Sequence, residues 1–311
     1  MNKNTTSSLR RLNGVLLLDK PINLTSNAAL QIVKRIYKAT KAGHTGSLDP
    51  LASGMLPLCF GEATKFAQFL LEEDKSYHVV GKLGVTTTTG DAEGEIIATK
   101  PIGGITSAQI KNLLPQFSGA IEQLPSMYSA IKYQGQPLYK LARQGITIER
   151  QMRQINIYDL KFIDFDSNML TLFVHCSKGT YIRTLISDIG DALGCGAHVT
   201  SLRRLSVGSF QAQDMVAMET LQQFATQNDE AALDSLLLPI EVMLRNCPEL
   251  RLTETMIYYL TQGSPIMVPH APTSGYVKLK TKNGEFLGIG EILADGKVAP
   301  RRLIKLAKKE T

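Results

Sequence analysis

Apolar residues in this chain come in short runs, of which residues 15–18 (VLLL) and 236–238 (LLL) are examples. A helix that crosses a bilayer needs about 18 consecutive apolar residues, so the chain is expected to fold in water around small elements and not to span a membrane. The start carries Lys3, Arg10 and Arg11, but the apolar stretch behind them is four residues long and closes on Asp19-Lys20, too short for a signal peptide. Hydrophobic residues make up 43% and charged residues 20% of the 311 positions, which supplies a core and excludes wholesale disorder. That length suggests about two domains. Four cysteines, Cys59, Cys176, Cys195 and Cys247, fit a reducing compartment without a disulfide framework, and a cytoplasmic protein is expected.

Local patterns give a mixed α+β chain. Residues 14–18 read as a buried strand that Asp19-Lys20-Pro21 stops, because proline removes a ladder donor. Thr25 or Ser26 supplies the N-cap of a helix with Leu30, Val33 and Ile36 or Tyr37 on one face and Lys34, Arg35, Lys38 and Lys41 on the other, ending near Gly43. Residues 43–54, GHTGSLDPLASG, hold three glycines and a proline without periodicity, which predicts a shaped loop. A helix over 61–73, a strand over 76–83 and a turn-rich connection over 86–94 follow. Farther on, the spacing predicts a helix over 107–116, an antiparallel pair over 160–165 and 170–176, and a helix over 181–193 stopped by Gly194. From Gly275 the pattern is all-β, with hairpin turns at Asn283-Gly284 and Asp295-Gly296. A boundary near residue 250 divides the chain into domains 1–250 and 251–311.

Charge is uneven along this order. Residues 1–45 carry eight Lys/Arg and one acid, residues 46–250 carry sixteen against twenty-two, and residues 251–311 carry ten against five. Two basic ends suit a polyanion that touches both, and they equally suit solvated surface, so charge leaves the matter open.

Several chemistries can be tested by spacing. His175, Cys176, Cys195 and His198 are metal-ligand types, but 175 and 176 are neighbours in a strand, where side chains point to opposite faces. No G-x-S-x-G elbow, phosphate loop or dinucleotide glycine fingerprint is present, so neither serine hydrolase chemistry nor a nucleotide cofactor is expected. Asp49 remains, extended by the proline after it and set among Gly43, Gly46 and Gly54, which could let backbone approach a ligand closely. From spacing alone it is either a turn initiator or a functional carboxylate.

The 42–66 stretch AGHTGSLDPLASGMLPLCFGEATKF resembles the signature motif of the TruB family of pseudouridine synthases. The likeness continues in matching order through GVLLLDKP (14–21), PSMYSAIKYQGQPLYKLARQG (125–145), CSKGTYIRTLISDIG (176–190) and GAHVTSLRRL (196–205), and GIGEI (288–292) with VAPRRL (298–303) resembles a C-terminal RNA-binding domain of the PUA type. The resemblance implies a pseudouridine synthase fold, α+β with a mixed, antiparallel-rich sheet, plus a small β-rich PUA-like domain. It implies an enzyme that isomerises uridine 55 in the T arm of tRNA by base flipping, glycosidic cleavage and rejoining through carbon, with no cofactor, no metal and no protein partner, and a monomer is expected.

By the same resemblance Asp49 is the essential carboxylate, Arg183 its cation and Tyr77 the tyrosine that stacks on the target base. Without the motifs, Arg183 would read as a helix-surface ion pair and Tyr77 as core. Tyr181 and Leu202 match residues lining the base pocket, and His44 a histidine that meets the flipped RNA, with no proton-transfer role assigned. Lys20, Arg150, Arg153, Arg203 and Arg204 are candidates to grip phosphates. In VTTTTGDAEG (85–94) threonines stand where many relatives carry an arginine and a further aspartate, while Asp91 is retained. Two alternatives stay open: a non-enzymatic tRNA-binding or folding chaperone, and a synthase acting on a different RNA uridine.

Overall fold

The computed structural model describes residues 9–305, so Lys3, Lys308 and Lys309 of the basic ends lie outside the described residues. The first apolar run shows how the layers form. In β1 (Gly14–Lys20), Leu16 and Leu18 enter one core while Val15 and Leu17 enter a second on the opposite face. A strand covered on both sides needs no polar alternation, which is why this run is continuous. Helix α1 (Ser26–Ile36) lays Ala29, Leu30 and Val33 on the first core, and Thr25 caps it by accepting from the Ala28 N–H. It ends seven residues before the expected stop at Gly43, and β2 (Ala42–His44) then pairs with β3 (Ala52–Phe60). The expected loop is thus shorter than its glycines suggest, with both of its ends in the sheet.

A 3-10 turn over Gly61–Phe66 and α2 (Ala67–Glu72) replace the single helix expected there. They lead into β4 (Lys75–Leu83) and a small hairpin of β5 (Val85–Thr87) and β6 (Ile96–Thr99). After α3 (Ser107–Leu113) and the edge strand β7 (Gly119–Gln123), residues 124–152 form an excursion that contains β8 (Lys132–Tyr133), β9 (Gln136–Pro137) and α4 (Leu138–Ala142). The predicted antiparallel pair is β10 (Arg153–Asp166) with β11 (Met169–Cys176), and α5 (Ile182–Ala192) follows as expected. β12 (Ala197–Val207), β13 (Val216–Ala217), α6 (Met218–Thr226) and α7 (Glu230–Ser235) complete this part.

The main sheet runs β13-β1-β3-β12-β4-β11-β10-β7, with β2 off β3. Only β1–β13 and β3–β12 are parallel; the other pairs are antiparallel, so the sheet is mixed and antiparallel-rich as the resemblance implied. From β14 (Glu249–Leu252) a second sheet begins, joined by α8 (Glu254–Thr261), β15 (Gly275–Thr281), β16 (Phe286–Ile292) and β17 (Val298–Leu303) in the order β14-β15-β16-β17. Its turns are the Asn-Gly and Asp-Gly pairs. Ile289 of β16 is wholly buried in the second core beside Met55, Phe66 and Met243, so this sheet shares a core with the rest of the molecule. Among the described residues no helix is long and apolar enough to cross a membrane.

Candidate active site

Asp49 stands in the turn between β2 and β3, and three side chains fasten that turn. The hydroxyl of Ser26, in the first turn of α1, accepts from the Leu48 N–H at 2.7 Å and donates to the Leu48 carbonyl at 3.0 Å. Arg204, wholly buried on β12, donates from Nε to the Met55 carbonyl at 2.6 Å and from Nη2 to the Gly46 carbonyl at 3.0 Å. The third is Arg183, in the first turn of α5, whose Nε lies 3.0 Å from Asp49 Oδ2. Its other nitrogens meet Asp91 Oδ2 at 3.2 Å and donate to the carbonyls of Thr89 and Tyr128 at 2.9 and 2.8 Å. A planar guanidinium can hold these acceptors together because its donors are fixed in a fork. Asp91 is itself held by the Thr89 hydroxyl at 2.6 Å, so a threonine of the Thr-rich turn supports the charge network.

The electrostatics are a balance. Burial raises the Asp49 pKa above the ordinary carboxylate value, Arg183 pulls it back, Asp91 raises it and Lys20 lowers it, and the net direction is upward. Even so, 39% of the Asp49 side chain is accessible, because it opens onto two adjoining cavities. The larger, about 830 Å³, is walled by Tyr77, Tyr181 and Leu202; the smaller, about 470 Å³, by Thr25, Asn27, Glu93 and Arg143. Asp49, His44 and Arg183 line both.

The register explains why Tyr77 and Leu202 meet. Tyr77 of β4 lies opposite Arg204, and Leu202 lies opposite Val79 on one side and Ala52 on the other. Tyr77 is buried, and burial raises its phenol pKa against the pull of the Arg204 guanidinium beside it. Tyr181 sits at the N-cap of α5, where Gln123 grips its backbone: Oε1 accepts from the Tyr181 N–H at 2.8 Å and Nε2 donates to its carbonyl at 3.0 Å. His44 is half-buried, its pKa lowered by burial and by Arg204, and its Nδ1 has no protein partner.

Of the sequence-derived residues, Asp49, Tyr77, Arg183, His44, Tyr181 and Leu202 therefore converge on one place, and Lys20 does not. Lys20 is fully buried, its Nζ donates to the carbonyls of Pro21 and Leu24 at 2.8 and 2.7 Å, and burial pushes its pKa down to about 8. It has no face for a phosphate and acts on the site only through its charge. Two other phosphate-grip candidates are already engaged by the protein: Arg204 is buried as described, and Arg203, partly exposed, is held in a two-pronged pair with Asp19 at 2.9 and 2.7 Å. Arg150 donates to the Pro125 carbonyl, and Arg153 is exposed. Ser26, Gln123, Lys132 and Arg143 were not found by sequence reasoning. Gln123 and Ser26 look like ordinary strand and cap residues, and nothing local signals that each grips the backbone of a remote segment.

Models of known families match nearly the whole chain: the N-terminal domain of TruB family pseudouridylate synthases over residues 34–182, the tRNA pseudouridylate synthase B C-terminal domain over 183–245, and a C-terminal model of pseudouridine synthase II TruB over 248–304. The chain is 55% identical over 296 residues to a tRNA pseudouridine synthase B of Coxiella burnetii (strain RSA 493 / Nine Mile phase I), covering 95% of this chain and 96% of that protein. It is 55% identical over 293 residues to the protein of the same name from Nitrosococcus oceani, covering 94% of this chain and 95% of that protein. Among solved structures, a Cbf5-Nop10-Gar1 complex superposes with a TM-score of 0.72 at 25% identity, covering 94% of this chain and 84% of that one. An H/ACA RNP bound to a substrate RNA containing 2'-deoxyuridine gives the same score at 23% identity, covering 94% and 85%, a likeness of fold. With three consecutive family models and full-length relatives above half identity, the chain belongs to the TruB family of pseudouridine synthases.

Proposed function

We propose that this protein converts uridine 55 in the T arm of tRNA to pseudouridine, with Asp49 as the essential carboxylate. The observation that carries the reading is the Asp49–Arg183 contact of 3.0 Å at the mouth of a cavity walled by two tyrosines and a leucine. The relatives' names support tRNA as the substrate. In the reaction the bond from C1′ to N1 of the base breaks, the uracil turns, a bond from C1′ to C5 forms, the C5 proton leaves and N1 takes up a proton. A uracil stacked in a loop must be extruded to react, at a cost of a few kcal/mol. Stacking on an aromatic face returns about 1–3 kcal/mol, and in this reading Tyr77, which lines the larger cavity, provides it.

Residues 1–250 form the catalytic domain in this reading and 251–311 the PUA-like one. The exposed Lys132 and Arg143, which line the cavities, and the exposed Arg153 of β10 take over the RNA-gripping role for which Lys20, Arg203 and Arg204 are too buried or already paired. No second protein is required, and the reaction belongs in the cytoplasm with its substrate. The test is tritium release from tRNA labelled at uridine C5. The unaltered protein is expected to release label, and Asp49→Asn to bind tRNA within a few-fold of it yet release none. Clear turnover by that variant would refute the assignment.

A further inference from the structure

Asp49 shares the junction of the two cavities with a side chain that the reading above does not use. Ser129, in the 124–152 excursion, lines both cavities and is 3% exposed. Its backbone is fixed on either side. The carbonyl of Tyr128 accepts from Arg183 at 2.8 Å, and the carbonyl of Ser129 accepts from the Tyr139 N–H at 3.1 Å. The hydroxyl is therefore held where it is by the same guanidinium that holds Asp49.

Yet Ser129 Oγ finds no well-aligned hydrogen-bond partner within the protein. It lies close enough to the Tyr181 phenol to offset part of the rise that burial gives that group, without completing a bond. A buried hydroxyl without a partner costs stability and is uncommon in native proteins. Alanine would fill this position with no such cost. The hydroxyl is intelligible if its partner arrives with the substrate.

Position then narrows the partner. Tyr77, Tyr181 and Leu202 line only the larger cavity and suit the base, whereas Ser129, like Asp49, lines both. Asp49 has to work at the glycosidic end of the nucleotide, so a hydroxyl beside it faces the sugar and its phosphate rather than the far edge of the uracil. We infer that Ser129 is a substrate-contacting residue whose hydroxyl hydrogen-bonds a sugar–phosphate oxygen of the extruded nucleotide, either the ribose 2′-hydroxyl or an adjoining phosphate oxygen. This rests on the assignment of Asp49 and of the larger cavity to the base.

The experiment compares the unaltered protein with Ser129→Ala on three T-arm hairpins: all-ribose, 2′-deoxyuridine at the target, and methylphosphonate at the phosphates flanking it. Dissociation constants are measured for all three, with single-turnover tritium release on the first and melting temperature for both proteins. Ser129→Ala is expected to bind the all-ribose hairpin about fivefold more weakly or worse, to release tritium more slowly, and to melt no lower. The binding defect should shrink to within twofold on whichever altered hairpin lacks the contacted oxygen. Binding and rate both within twofold of the unaltered protein would overturn the proposal. So would an equal defect on all three hairpins, or a fall in melting temperature, which would mark a structural role. Asp49→Asn is run alongside; turnover by that variant would sink the reading of the site, whereas the Ser129 binding comparison across the three hairpins stands apart from turnover.

Discussion

At the scale of single residues the site is a compromise between charge and burial. In the proposed reaction Asp49 acts as a carboxylate, and its pKa is raised above 3.8 because burial outweighs the help of Arg183 and Lys20. Two outcomes follow. Single-turnover rate is expected to fall with decreasing pH through a midpoint above 3.8; a midpoint at or below that value would contradict the assigned balance. The second outcome concerns stability. A carboxyl whose pKa is higher folded than unfolded binds its proton more tightly in the native state, so ionising it at neutral pH weakens the fold. Asp49→Asn should therefore melt no lower than the unaltered protein at pH 7, and the difference should fade as pH falls through the raised native value and below 3.8, where the carboxyl becomes protonated in both states. A clear loss at pH 7 in thermal unfolding would show that the Arg183 contact is worth more than the burial costs. Burial and the Arg204 guanidinium lower the His44 pKa, which favours the neutral imidazole.

At the scale of elements, the loop that carries Asp49 is shaped by contact with β12. The three glycines near Asp49 read in sequence as room for a ligand. Gly54 instead gives room to the protein: with φ of +96°, a Cβ there would lie 2.2 Å from the Arg204 carbonyl oxygen. Gly46 also has a positive φ, +75°, next to the Arg204 guanidinium, while Gly43 has neither constraint. Gly54→Ala is expected to cost at least about 2 kcal/mol in urea unfolding, from the left-handed backbone and the overlap together, and to slow turnover because β3 and β12 must part. An unchanged midpoint would mean that the strands can shift freely there. The pattern also explains which elements were legible. The β10–β11 and β15–β17 hairpins announce themselves because turn and strands are contiguous. β12, which carries Leu202 and Arg204, pairs with β3 and β4 more than a hundred residues away. No local pattern can state that partnership.

At the scale of the whole molecule, the C-terminal sheet is a structural part of the protein as well as a basic one. Phe286 packs on Phe66 with ring centroids 5.6 Å apart, Tyr276 meets Phe69 edge-on at 5.6 Å, and Lys280 bridges Glu241 and Glu249 at 2.8 and 3.0 Å. Removing residues 249–311 would uncover the second core, so a truncated protein is expected to lose melting temperature along with RNA affinity. Surface charge is the cleaner probe. Lys297→Glu with Arg302→Glu, both exposed, should leave stability nearly unchanged, as surface substitutions usually do within about 0.5 kcal/mol. The same pair should raise KM for tRNA and flatten its salt dependence while saturated turnover stays close to that of the unaltered protein. An unchanged KM would remove this face from the RNA-binding surface.

The sequence by itself determined the family, the run of small helices and strands and the C-terminal hairpins, and it singled out Asp49, Tyr77 and Arg183, which the fold brings together, because these are written in contiguous motifs and local periodicity. Only the tertiary structure decided which basic residues are exposed, what the glycines make room for, and how Ser26 and Gln123 grip remote backbone beside the cavities that Ser129 lines. Lys20 and Arg204 look like surface cations in a string of letters and are wholly buried in the fold. The physical reason is that burial and hydrogen-bond partnership belong to pairs of segments far apart in the chain, and each segment carries only its own half of the bond.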